Sequence, residues 1–94
     1  MSIQIIQHIE ATPNVMGGKP RIAGHRIAVQ DIAQWRYDVG WTDDQIAAEF
    51  SLTLGQVHAA LSYYHDHRAE IDQAMREDRM LVEQMRALDE GRVG

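Results

Sequence analysis

Three basic side chains, Lys19, Arg21 and Arg26, crowd into VMGGKPRIAGHRIAV (residues 15–29) among glycines and a proline. Two chemistries suit such a cluster: glycine-rich amides can cradle a phosphate, and cationic side chains can neutralise one. A nucleotide-binding loop also needs a lysine followed by Ser or Thr. Here Pro20 follows Lys19, removes an N–H donor and brings no hydroxyl. The glycines therefore read as turn formers and Pro20 as an edge-strand residue. Lys19 and Arg21 read as solvent-facing, available to DNA phosphates. Arg26 has two readings. Alternation sends it opposite Ile27, where it either meets a phosphate or partner, or ties the ribbon to a helix carboxylate such as Asp31 or Asp44.

The other candidates are weaker. His8, His25, His58, His65 and His67 show no His-x3-His pair, and His65 and His67 would diverge on a helix, so no metal site is expected. No Ser-His-Asp or paired-carboxylate arrangement stands out, and the reading is of a non-enzymatic protein without a cofactor. Trp35, Trp41, Tyr63 and Tyr64 read as core or dimer-seam residues. A stacking platform for single strands would need a basic groove beside them.

Positioning these groups falls to a short ribbon and a series of helices. IQIIQHIE reads as one strand over residues 3–9, ATPNVMGG as a loop, and PRI and RIAV as extended runs closed by a hairpin turn at Gly24. A first helix over residues 30–38 ends at Gly40, a C-cap position. Thr42 with Gln45, and Thr53 with Gln56, each have the three-residue spacing of a capping box, so two more helices start there. Only about three residues, around Ser51–Thr53, separate them, the spacing of a helix-turn-helix. In the third helix Val57, Ala60, Leu61 and Tyr64 form the core face. Thr53, Gly55, Gln56, His58, Ala59 and Ser62 remain as the exposed positions of a recognition helix, with Gln56 able to read adenine and His58 a base or phosphate.

The rest of the chain has no glycine until Gly91 and no proline, and it predicts a long helix from Asp66 or His67 to Leu88. Ile71, Met75, Val82, Met85 and Leu88 make an apolar stripe that Met80 and Leu81 broaden, and we read the stripe as a partner-binding face. Glu77, Asp78, Glu83, Asp89 and Glu90 beside it suit a partner with a basic rim. The organisation is thus a ribbon plus helix-turn-helix domain (1–66) and an acidic, Met-rich helical extension (67–94).

Charge sharpens the division. Residues 1–41 hold four basic against three acidic side chains, whereas residues 42–94 hold five against eleven. A nucleic-acid surface belongs in the first half, built from Lys19, Arg21, Arg26 and Arg36. No Lys or Arg lies between residues 37 and 67, so the helix-turn-helix needs a dimer to double those cations on DNA. There is no cysteine and no long apolar run, and the N-terminus lacks signal-peptide character, so a folded cytoplasmic protein is expected.

Two segments resemble the DUF433 family of small bacterial and archaeal proteins. The first is carried by Gly17, Gly18, Lys19, Pro20, Ile22, Gly24, Arg26, Ile27 and Val29. The second is carried by Leu52, Thr53, Gln56, Val57, Ala60, Leu61, Tyr63 and Tyr64. The chain departs at His25, where threonine is usual, and at Ala28, where proline is usual. The resemblance implies a mainly α fold, a homeodomain-like tri-helical helix-turn-helix with a short N-terminal β element. It also implies an antitoxin of a type II toxin-antitoxin pair, partnered with a small PIN-like nuclease toxin. The expected function is promoter binding as a dimer and toxin neutralisation by the C-terminal helix. The alternative is a protein-interaction or oligomerisation module that uses the helix-turn-helix only as scaffold.

Overall fold

The computed structural model describes residues 3–92. Its N-terminal segment forms two strands rather than one: β1 (Ile3–Ile6) and β2 (Ile9–Ala11) pair antiparallel, with a register shift between Gln4 and Ile6. The reversal occurs at Gln7 and His8, and His8 adopts φ 73°, a conformation uncommon outside glycine. Turning the chain there lets Ile9 point into the core, where it is fully buried. β3 (Arg21–Ile22) adds to β2 antiparallel, so the sheet order is β1-β2-β3. Gly24 takes φ 78° in the hairpin that follows, which closes through the Ile22 N–H donating to the Ile27 carbonyl and an Arg21–Ala28 bridge.

α1 (Val29–Gln34) starts at Ala28, which has no side-chain acceptor; Asp31 supplies the missing half by accepting from the Ala28 N–H at 3.1 Å. The helix then widens into a π turn over Trp35–Val39 and stops at Gly40, whose φ of 91° suits glycine. α2 (Asp43–Phe50) and α3 (Leu54–Asp66) begin with the two capping boxes read from the sequence. In each, the Thr hydroxyl accepts from the Gln N–H and the Gln side chain accepts from the Thr N–H, at 2.8–3.1 Å. Ser51 turns the chain between them in a left-handed conformation (φ 55°).

Helix α3 is the hub: α1 and α2 both pack on it, and the sheet covers its other side through Ile9 and Ile22. Ile32, Ile46, Val57 and Ala60 are buried at the centre. Trp35 stacks on Phe50 at 4.1 Å between ring centroids, and Trp41 flanks the pair. Burial raises the pKa of the Tyr64 hydroxyl, and its bond to Asp72 (2.7 Å) raises it further.

At His67 (φ −125°, ψ 32°) the helical path breaks, with the ring of Tyr63 stacked on the imidazole at 4.0 Å. α4 (Arg68–Arg92) leaves from there as the longest element. Its first turns are part of the core, since Ile71 and Met75 are buried with the residues of α1 and α3. The change of helix at residues 66–67 is therefore not the edge of the packed unit.

Candidate functional site

The three cations of the ribbon differ: Arg21 is buried, Lys19 is half-exposed in an ion pair and Arg26 is exposed. Arg21 is only 7% exposed. The β2–β3 register sets it opposite Glu10, and its guanidinium pairs with that carboxylate at 2.7 Å. It also donates to the His25 carbonyl (2.8 Å) and the Thr12 hydroxyl (3.0 Å), which fixes the hairpin against the strand before it. The expectation of a solvent-facing Arg21 is thus corrected: the β2–β3 register sets it against Glu10, and that pairing lets a charged side chain be buried. Lys19 is corrected as well, because its ammonium meets Asp78 of α4 at 2.7 Å, and Gln30 donates to the same oxygen at 2.8 Å. These two bonds, Lys19 first, lower the pKa of Asp78. Arg26 is exposed and forms no ion pair among the described residues. The tie considered for Arg26 is made by Arg21, and to a strand carboxylate rather than a helical one.

The helix-turn-helix candidates cluster around one carboxylate. Arg36 Nε lies 3.1 Å from Asp43 Oδ1 and His58 Nε2 lies 3.2 Å from Asp43 Oδ2. The Arg36 guanidinium also stands over the Tyr37 ring at 5.4 Å. Asp43 thus screens both groups that were candidates for phosphate or base contact. Thr53 and Gln56 are engaged with each other in the cap. Thr53, Gly55, His58 and Ser62 are exposed as read, while Gln56 and Ala59 are half-buried. Among the described residues no group of three or more His, Cys, Asp or Glu side chains gathers as a metal site would.

The partner-binding stripe divides in two. Ile71 and Met75 are corrected to core residues, because α4 runs back along α1 and α3 rather than away from them. Leu81, Val82, Met85 and Leu88 remain more than half exposed. At about 100° per residue, these four fall on one side of the helix, in line with the buried face, whereas Met80 lies on the far side. One flank of the exposed patch carries Arg79 and Arg86 and the other Glu77, so its surroundings are of mixed charge rather than uniformly acidic. Sequence periodicity located the face, but only the packing shows where the core stops covering it.

A sequence profile described as "Protein of unknown function (DUF433)" matches residues 9–64. The chain belongs to the DUF433 family. A crystal structure of a DUF433 member from Anabaena variabilis ATCC 29413 is similar, with a TM-score of 0.69 and 33% identity over 73% of this chain and 68% of that one. The chain matches no curated protein. The DUF433 match spans the ribbon from β2 onward and the three-helix unit, so the exposed half of α4 lies outside it. Within the match, the Glu10–Arg21 pair and the Thr53–Gln56 capping box account structurally for charged and polar residues that read as binding groups. No helix among the described residues is long and apolar enough to cross a membrane.

Proposed function

We propose that this DUF433 protein is an antitoxin-like protein that holds a small PIN-like nuclease with the distal half of α4. The observation that supports the reading is the contrast along one helix face: Met75 is 8% exposed and Met85 is 58% exposed. A run of Leu81, Val82, Met85 and Leu88 left in water is a docking surface, since burying such side chains in a partner recovers about 25 cal/mol per Å² of apolar area. Methionine adapts to an imposed groove, and Arg79, Arg86 and Glu77 at the edges give the patch polar boundaries. Neutralisation would then work by occlusion of the nuclease site. Co-expression with the PIN-like nuclease from an adjacent gene tests it: Leu81→Glu with Met85→Glu should abolish growth rescue while the helical circular dichroism is unchanged. Rescue that survives the double substitution would refute the assignment.

Promoter binding as a dimer belongs to the same reading as its weaker arm. With Lys19, Arg21 and Arg36 each in an ion pair, Arg26 is the ribbon cation left to meet a phosphate, and few released counterions mean low affinity with a shallow salt dependence. The same ion pairs favour the second reading, an interaction module whose helix-turn-helix is scaffold. Mobility shifts on the upstream DNA at low salt separate the two; an Arg26-dependent shift favours the regulator, and no shift favours the scaffold.

A further inference from the structure

A cleft of about 510 Å³ separates the π turn from α4, away from the ribbon and beside the distal apolar patch. Tyr37, Asp38 and His65 line it from the π turn and α3, and Arg68, Asp72, Arg76 and Arg79 line it from α4. The π turn presents Tyr37 to solvent: the side chain is 48% exposed even though its ring lies 5.8 Å from Tyr64 and its hydroxyl meets His65 Nε2 at 2.7 Å. On α4 the four charged residues follow one another at spacings of four, four and three, which places them along one helix face. Asp72 is already engaged, accepting from the Tyr64 hydroxyl at 2.7 Å and lying 3.7 Å from Arg68. Arg76 is held only by the neutral Gln73 (2.7 Å), and Arg79 forms no ion pair among the described residues. Arg76 and Arg79, neither in an ion pair among the described residues, thus share the cleft with a half-exposed tyrosine ring and with the Asp38 carboxylate, in a chain of net charge −5. Tyr37, an aromatic residue outside the four weighed from the sequence, thus has basic groups beside it, supplied by arginines about forty residues downstream.

We propose that this cleft binds a nucleoside phosphate, with the base stacked on Tyr37 and the phosphate held by Arg76 and Arg79. Guanidinium groups match phosphate oxygens in paired hydrogen bonds, and every nucleobase offers a face to an aromatic ring. The volume is in the range of small-ligand sites. A running nucleic-acid strand fits less well, because the groove that continues along α1 and α4 sets three carboxylates, Asp31, Asp78 and Glu83, against Arg86 and Arg79, the latter already holding the first phosphate. Those carboxylates would repel a second and third phosphate, as they would an acidic peptide. The proposal does not rest on the nuclease-binding reading: the two surfaces share Arg79, which borders the apolar patch and lines the cleft, but none of Leu81, Val82, Met85 and Leu88 lines the cleft.

Titration calorimetry of the full chain with AMP, adenosine and inorganic phosphate at low salt tests the proposal. AMP should bind saturably, and adenosine and phosphate each at least ~10-fold more weakly. Arg76→Glu with Arg79→Glu, both exposed positions, should weaken AMP at least ~10-fold with the circular dichroism unchanged. Tyr37→Leu should weaken AMP by ~10-fold and leave phosphate unaffected. Leu81→Glu with Met85→Glu should bind AMP normally, which separates this site from the patch. Absence of saturable AMP binding, indifference to the arginine reversals, or affinity that grows with the length of a single-stranded oligonucleotide would each overturn it.

Discussion

In the ribbon, Lys19 and Arg21 each find a carboxylate elsewhere in the chain, whereas in the distal half of α4 the apolar side chains from Leu81 to Leu88 find no cover. Both regions stand out in the sequence as surfaces for a partner. The difference follows from range and direction. A cation needs one acceptor within about 4 Å, and a single strand register or a single helix crossing supplies it. An apolar helix face needs a second surface of matching length, and the three-helix core ends before α4 does. Charge clustering in a short chain is therefore a weaker sign of an external ligand than an apolar stripe that outruns the core.

The ribbon half of this comparison breaks first at Arg21. Arg21→Ala leaves Glu10 in a largely buried site with no countercharge, and unfolding by denaturant should show a loss of about 3 kcal/mol; a loss under about 1 kcal/mol would mean that the guanidinium is solvated after all. Along α4, Met75→Ala should cost about 2–3 kcal/mol and Met85→Ala less than about 0.5 kcal/mol in the isolated protein. Equal costs at the two positions would erase the division between docked and overhanging halves. Thr53→Ala removes a cap acceptor and should cost about 1 kcal/mol. If Thr53 and Gln56 instead serve DNA, that substitution would change binding while leaving the thermal midpoint in place.

The smallest effect concerns the Lys19–Asp78 bond, half-exposed at both ends and worth under about 1 kcal/mol. Asp78 has a lowered pKa in the folded protein, so its contribution is present above the unfolded carboxylate value of about 3.9 and disappears as pH falls through the lower folded value. Asp78→Asn should accordingly be slightly less stable than the parent chain at neutral pH and indistinguishable from it near pH 2. A difference that persists unchanged into acid would show that the amide disturbs packing rather than charge.

The parts legible in the sequence are those decided within four residues. Thr42 with Gln45, Thr53 with Gln56, and Gly40 at a helix end are local devices, and each appears where its spacing placed it. The β1–β2 reversal was hidden because His8 occupies a left-handed conformation without the glycine or asparagine that would announce it. The partner of Arg21 depends on strand register, and Lys19 meets a residue 59 positions away. The cleft beside Tyr37 escaped for the same reason, its cations and its ring coming from elements that only the path of α4 brings together.

The break at His67 gives α4 the mechanics of a lever. Its fulcrum lies at the stacked Tyr63–His67 pair, and the Lys19–Asp78 bond braces it about 16 Å along. Roughly 21 Å of rod projects beyond that brace, so a 1 Å displacement at Asp78 becomes about 2 Å at the tip. The aim of the outer half is thus set by the docking of Ile71 and Met75, with the Lys19 and Gln30 bonds to Asp78 as a weaker brace.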